Sequence, residues 1–233
     1  MIARRLSADR GLTRLEWLES RHTFSFGDYH DPRFMGFRVL RVLNEDRVAP
    51  HSGFSPHFHR DMEILTVVLE GTLRHEDSTG ASHDLGPGVV QRMTAGSGIV
   101  HSEINPSPVD PVHFLQIWIL PERRGLSPAY EERPFAAGGE GESLAVLASP
   151  DAREGSVRIH QDATVYWARF PPGGRLVHTL DEGRYAWVQI AAGALDLGGV
   201  RLEAGDAAGI LEEREVSIEA TGAGADLLLF DLA

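Results

Sequence analysis

The sequence predicts an all-β protein with few short helices and an internal duplication. Short β-branched or alternating segments recur along the chain, and each is closed by Gly, Pro, Asn or Asp. Even spacing of strands and turns is typical of β-barrels and sandwiches. Sustained helical periodicity is scarce, and the second half repeats features of the first.

The composition narrows the classes of function. The 233 residues suit one large domain or two smaller ones. No apolar run is long enough to span a membrane and the N-terminus lacks an apolar signal core, so we expect a cytoplasmic protein without membrane contact. The net charge of −12 opposes direct binding of nucleic acid. Because cysteine is absent, any metal must be held by histidine, carboxylate, carbonyl or water.

The first forty residues predict one helical element and one strand. Leu12, Leu15 and Leu18 have the spacing of a short amphipathic turn or helix. Phe24 and Phe26 alternate as in a half-buried strand.

From residue 37 onward the predicted elements are strands. Phe37–Leu43 alternates, Glu63–Leu69 is a β-branched apolar run, and His113–Leu120 is the clearest buried strand of the first half. Asp77–Gly80 has the composition of a hairpin turn.

Residues 121–143 differ in character, because Pro, Gly and charge dominate without a sustained period. The predicted domains are therefore an N-terminal barrel over 1–125, a linker or crossing loop over 126–143, and a C-terminal barrel over 144–233.

The second half is a weaker copy of the first, with glycine-punctuated hairpins at similar intervals. Where the first half reaches His101 and Glu103, the second reaches Val216 and Ile218. A lone His178 stands in place of two earlier histidines. We therefore expect the second barrel to lack the polar cluster of the first.

Two pairs of side chains predict a metal site in the first half. His57 and His59 are two residues apart, as are His101 and Glu103, and side chains with that spacing share one face of a strand. Imidazole suits iron(II), manganese, cobalt, nickel, copper and zinc, and a carboxylate adds charge and hardness. Four such ligands on an octahedral ion leave two open positions, enough for a substrate oxygen and dioxygen.

The segments that carry these pairs resemble the two conserved boxes of the cupin superfamily, G-x3-H-x-H-x3-E-x7-G from Gly53 and G-x12-H-S-E from Gly88. More narrowly, the phrases R-H-T-F-S-F-G-D-Y-H-D-P, H-F-H-R-D-M-E, M-T-A-G-S-G-I-V-H-S-E and L-Q-I-W-I resemble the pirin family. The resemblance implies two tandem cupin (jelly-roll-like) β-barrels, with one metal in the N-terminal barrel and a degenerate C-terminal barrel without ligands.

Carried over residue by residue, the resemblance implies a specific ligand set and a supporting or core role for Glu63. The implied metal ligands are His57, His59, His101 and Glu103. The implied cofactor is one divalent transition metal ion, first of all Fe(II), with Ni, Cu, Co, Mn and Zn left open.

Bacterial pirins are similar to flavonol 2,4-dioxygenases, so the resemblance implies a metal-dependent dioxygenase that opens the ring of flavonols such as quercetin with O2 and releases carbon monoxide. Glu103 would also be the catalytic general base that accepts the proton of the substrate hydroxyl. The expected partners are a small aromatic or phenolic substrate and O2. The alternative is a pirin-like, redox-responsive interaction module without turnover, which would bind a protein partner.

The remaining candidates have mainly structural interpretations. His113 is expected to be a hydrogen-bonded structural residue. Phe24, Phe26 and Trp118 suit an aromatic substrate cavity and a barrel core equally well. The other histidines stand in polar or turn-like contexts and are expected at the surface; they are His22, His30, His51, His75, His83, His160 and His178.

Overall fold

The computed structural model describes residues 1–135 and 143–233 and consists almost entirely of β-strands. The all-β prediction is confirmed, because the only helices among these residues are two 3₁₀ turns, Ser7–Asp9 and Arg153–Gly155. The described part of the chain contains no helix long and apolar enough to cross a membrane. The strands are β1 Ile2–Arg5, β2 Gly11–Arg14, β3 Leu18–His22, β4 Leu40–Val48, β5 Gly53–His59, β6 Glu63–Glu70, β7 Leu73–Asp77, β8 Ser82–Leu85, β9 Val89–Thr94, β10 Ile99–Ile104, β11 Val112–Ile119, β12 Ala129–Pro134, β13 Ala145–Ser149, β14 Val157–Arg158, β15 Ala163–Phe170, β16 Arg175–Thr179, β17 Tyr185–Leu197, β18 Val200–Glu203, β19 Ala207–Ile210 and β20 Glu215–Leu232.

The chain divides into two compact units. The N-terminal unit comprises Gly11–Pro134 and Val157–Gln161, and the C-terminal unit comprises Met1–Arg10, Phe135–Ser156 and Asp162–Ala233.

Two stretches belong to different units from those that the expected domain bounds assign them to. Strand β1 pairs with β19, because its backbone groups complete the edge of the C-terminal sheet. Strand β12, inside the expected 126–143 linker, pairs with β9, and Arg92 donates a hydrogen bond to Glu131 across this pair at 2.8 Å. Residues 136–142 of that linker lie outside the described residues.

The N-terminal unit consists of two antiparallel sheets. Seven strands form the order β12-β9-β6-β11-β4-β3-β2, and four form the order β5-β10-β7-β8. Two apolar clusters contain side chains from both sheets, so the sheets pack face to face as in a barrel. One cluster includes Phe114 of β11 and Leu73 of β7, and the other includes Ile64 of β6 and Ile99 of β10.

The helical prediction near the N-terminus is wrong. Residues 11–22 form the β2–β3 hairpin, in which Leu18 is buried while Leu12 and Leu15 remain exposed. Pairing of β3 with β4 outweighs the local leucine spacing, because it satisfies a whole row of backbone groups. The strand expected at Phe24 and Phe26 is reduced to a single bridge between Phe26 and Tyr29.

The C-terminal unit is one antiparallel sheet in the order β1-β19-β17-β20-β15-β13, with β16 on β20 and β18 on β17. The pairing of β16 with β20 places His178 opposite Val216, as the pairing of β5 with β10 places His57 opposite His101. Val216 and Ile218 are buried in an apolar core, where a metal site would need polar side chains.

His178 is not at the surface, contrary to the sequence expectation. Its Nε2 lies 3.0 Å from Oδ2 of Asp231, which also accepts a hydrogen bond from Arg184. Burial raises the pKa of Asp231, but the hydrogen bonds from His178 and Arg184 outweigh burial and hold that pKa below its usual value. The remaining histidine of the repeat thus serves a structural ion network.

Replacement of Gly96 tests how tightly the backbone is constrained next to the candidate site. It has a φ of +50°, and a Cβ there would lie 2.1 Å from the carbonyl oxygen of Leu126. We expect Gly96→Ala to lower the free energy of unfolding by about 2–4 kcal/mol, because both backbone strain and a backbone clash result. Gly86→Ala is the control, since a Cβ at Gly86 meets open space. Urea denaturation measures both, and equal midpoints for the two variants would contradict the expectation.

Candidate metal centre

Strands β5 and β10 bring both sequence pairs to the space between the two sheets of the N-terminal unit. His101 lies opposite His57 in the ladder, and one extra residue of β5 forms a bulge between that position and the pairing of Glu103 with Phe54. The imidazole ring centroids are 4.4 Å apart for His57 and His101, 4.7 Å for His57 and His59, and 4.8 Å for His59 and His101.

The hydrogen bonds assign the ring nitrogens that are left for a ligand. Nδ1 of His57 donates to the carbonyl oxygen of Ser55 at 2.8 Å, so its Nε2 carries the free lone pair. Nδ1 of His101 lies 3.4 Å from Nδ1 of His75, and Nε2 of His101 is buried without a hydrogen-bond partner among the described residues. A buried nitrogen without a partner is costly unless something else binds it.

The electrostatics keep two of these imidazoles neutral. Burial, with a smaller contribution from His57, lowers the pKa of His59 to about 4. Burial, followed by the repulsion of His57, His59 and His75, lowers the pKa of His101 to about 2. At neutral pH both rings are therefore in the unprotonated form that coordinates metal ions.

Glu103 is 1% exposed and is held by side chains of the opposite sheet. Nε2 of Gln116 donates to its Oε2 at 2.5 Å, and the hydroxyl of Thr66 lies 3.5 Å from its Oε1. The indole of Trp118 donates to Oε1 of Gln116 at 3.3 Å, which fixes the orientation of the amide. Burial raises the pKa of Glu103 despite these hydrogen bonds.

Two overlapping groups of potential ligands result, and they share His101. His57, His59 and His101 form the first group, and His75, His101 and Glu103 form the second, with ligand atoms within 4.8 Å of one another in each. Imidazole nitrogens and one carboxylate suit a divalent transition metal ion. The donor set and the partnerless Nε2 of His101 therefore fit such an ion.

A cavity of about 340 Å³ opens beside these groups. Phe26, Phe54 and Trp118 line it together with His57, His59 and Glu103, while polar side chains including Thr13, His22 and Asn44 form another part of the wall. Phe24 is 1% exposed and belongs to the core. Of the two alternatives expected for the aromatic residues, Phe24 therefore follows the barrel core, and Phe26 and Trp118 follow the cavity. The cavity volume is in the range that holds a small organic ligand.

Several buried polar residues near the site were not identified from the sequence patterns. His75 and His22, expected at the surface, are 0% and 3% exposed, so those predictions are wrong. His75 and Asp77 are two residues apart, like the residues of the other pairs, and this spacing could have identified His75 as a residue of the site. Gln116 and Thr66 are single polar residues in otherwise apolar strands, a pattern that calls for a buried partner.

The other expectations concern supporting residues. His113 lies 3.0 Å from Oε1 of Glu45, which confirms its structural, hydrogen-bonded role. Glu63 is fully buried and accepts hydrogen bonds from Thr94 and His160 outside both ligand groups. His160 is therefore half-buried rather than fully solvated.

Comparison with known proteins identifies the family. A family model described as Pirin matches residues 5–119, and one described as the quercetinase C-terminal cupin domain matches residues 146–232. The chain is 44% identical over 232 residues to a protein of Escherichia coli strain K12 named quercetin 2,3-dioxygenase, covering 100% of this chain and 99% of that protein. It is 41% identical over 237 residues to a protein of Pasteurella multocida named putative quercetin 2,3-dioxygenase, covering 100% of both chains.

Solved structures agree with the sequence comparison. The crystal structure of YhhW from Escherichia coli has a TM-score of 0.96 at 44% identity and covers 100% of this chain and 98% of that chain. The crystal structure of the bacterial pirin YhhW in complex with nickel(II) has a TM-score of 0.95 at 43% identity, with coverage of 100% and 99%. The predicted cupin architecture is therefore confirmed, and the chain belongs to the pirin family of cupin proteins.

Proposed function

We propose that this protein is a metal-dependent quercetin 2,3-dioxygenase that opens flavonols with O2. One observation carries the proposal: three imidazoles, one of them with a buried partnerless nitrogen, adjoin an aromatic cavity of about 340 Å³. Relatives that match the whole chain are named for this activity. In this proposal His57, His59, His101 and Glu103 hold one divalent ion.

The bound ion would supply Lewis acidity and open positions at which substrate and O2 meet. The chain supplies orientation and a proton acceptor. The rings of Phe26, Phe54 and Trp118 would contact the flat aromatic rings of a flavonol and exclude water from them. Glu103 would accept the proton of the substrate hydroxyl at Oε1, since Gln116 occupies Oε2.

Burial raises the pKa of the Glu103 carboxyl, which favours uptake of a proton at this position. Deprotonation makes the substrate electron-rich and prepares it for O2. Both atoms of O2 would enter the ring-opened product, on the two carbons that flank the hydroxyl-bearing carbon. That carbon would lose both of its ring bonds and leave with its own oxygen as carbon monoxide.

The identity of the ion is a finer proposal. We infer Fe(II) as the first choice, because three imidazoles and a carboxylate leave open positions of the kind that non-haem iron oxygenases use. Nickel(II) is the main competitor, since the similar protein YhhW was crystallised with it. Elemental analysis of freshly purified protein distinguishes the two.

Turnover of quercetin by the metal-loaded protein tests the function. We expect loss of flavonol absorbance and release of carbon monoxide with at least one ion among iron, nickel, copper, cobalt and manganese. The apoprotein and an anaerobic sample are the controls, and neither should turn over. Tight metal binding without turnover on any of these ions would remove the dioxygenase proposal and favour a metal-dependent interaction module. Activity without oxygen would point to a different reaction class.

A further inference from the structure

A buried chain of hydrogen bonds leads away from His101 on the side opposite His57. Nδ1 of His101 lies 3.4 Å from Nδ1 of His75, and Nε2 of His75 lies 2.9 Å from Oδ2 of Asp77. The side chains of His75 and Asp77 are both 0% exposed. Both side chains are therefore shielded from bulk solvent.

When both imidazoles are neutral, the donors and acceptors fit together in one arrangement. The Asp77 carboxylate accepts, so Nε2 of His75 donates to it and Nδ1 of His75 must accept. The side-chain amide nitrogen of Gln91 also lies 3.3 Å from this Nδ1. Nδ1 of His101 therefore donates to His75, and Nε2 of His101 is left unprotonated.

Neighbouring groups hold this arrangement in place. The ring of Tyr130 lies against His75 with centroids 4.8 Å apart. Oδ1 of Asp77 accepts hydrogen bonds from the backbone N–H of Thr79 at 2.8 Å and from its hydroxyl at 2.6 Å, which leaves Oδ2 for His75. The same carboxylate thus closes the hairpin turn and orients an imidazole.

We propose that Asp77 and His75 are positioning residues that act through His101, fixing its tautomer and increasing the electron density at the nitrogen that holds the metal ion. This inference rests on the proposed metal site and deepens it. A carboxylate behind a ligating imidazole raises the basicity of that ligand. Here the carboxylate acts through a second imidazole, so its negative charge can remain outside the ion's own contacts.

Asp77→Asn removes the negative charge and the acceptor that faces His75 but keeps the shape of the hairpin turn. The amide oxygen can continue to accept from Thr79, so the amide nitrogen then faces His75 in place of Oδ2. His75 would have to accept there and carry its proton on Nδ1, directly opposite the N–H of His101. His101 would lose its acceptor or move its own proton to Nε2, which blocks the metal-binding atom.

The experiment measures binding of nickel(II) alone to the full-length apoprotein by competition with a chromophoric chelator at constant pH. We expect Asp77→Asn to weaken affinity about 10- to 100-fold, as loss of a partner behind a ligand typically does. The visible absorption of the cobalt(II) form should also shift, because the donor strength of His101 changes. His75→Ala should weaken affinity at least as much, and melting of each apoprotein checks its fold.

Two control variants keep affinity unchanged if the inference is right. Ser82→Ala removes an exposed contact of the same hairpin, the one between Ser82 and Glu76, and leaves Asp77 and His75 untouched. Asp84→Asn removes a charge from the same hairpin, where Asp84 pairs with Arg74 at the surface. Equal weakening by either control, or wild-type affinity and spectrum in Asp77→Asn, would overturn the inference while the dioxygenase proposal stands. Failure of the wild-type protein to bind nickel(II) or cobalt(II) would overturn both.

Discussion

Glu103→Gln is expected to lower quercetin turnover by about 10²- to 10⁴-fold, the usual contribution of a general base. The amide is nearly isosteric with the carboxylate but cannot accept the hydroxyl proton. Because the amide oxygen is also a weaker ligand, some metal is lost, so the rate is compared per bound ion. Steady-state loss of flavonol absorbance, with metal content measured on the same sample, gives that comparison.

The matched control for this variant is Glu63→Gln. Glu63 is an equally buried carboxylate of the same unit, but it bonds to Thr94 and His160 outside the ligand groups. We expect this control to alter stability without the large fall in rate per bound ion. A near-normal rate per ion in Glu103→Gln would refute the assignment of Glu103 as the base.

His57→Ala is expected to remove most of the bound metal. Its Nε2 is one of three imidazole nitrogens in the first ligand group, and a change behind a ligand already costs 10- to 100-fold in affinity, so loss of a ligand should cost more than about 100-fold. His57 is only half-buried, so alanine leaves a water-accessible gap rather than an empty core cavity. Metal content after gel filtration measures the loss.

His30→Ala is the control for this second variant, since it removes an exposed histidine without touching either ligand group. We expect it to keep wild-type metal content. If His57→Ala retained a full equivalent of tightly bound metal, the ligand set would have to be revised. The fold should survive in both variants, as circular dichroism would show.

The fold class could be predicted from sequence because strand patterns and turn residues are local signals. A short, largely apolar run identified the buried strand around His113–Leu120, and Asp77–Gly80 marked a hairpin. The helix expected at residues 12–18 was wrong because only the pairing of β3 with β4 decides that segment. Pairing between distant strands leaves no local pattern in the chain.

The placement of each side-chain pair on one face of its strand could be predicted from sequence, whereas the contacts of the supporting residues could not. The spacing of His57 with His59 and of His101 with Glu103 put each pair on one face, and the structure brings these side chains together between the sheets. The contacts of Gln116 and His75 depend on which strands face each other across the interior. Sequence spacing within one strand carries no information about that choice.

The bulge in β5 has a consequence for how this protein can change. Strict alternation from His57 would turn Phe54 outward, but the extra residue rotates the strand so that Phe54 faces the cavity as well. Removal of one residue there would exchange an interior aromatic ring for an outward-facing neighbour. The number of residues between Phe54 and His57 is therefore as important to the cavity wall as the identity of the side chains that line it.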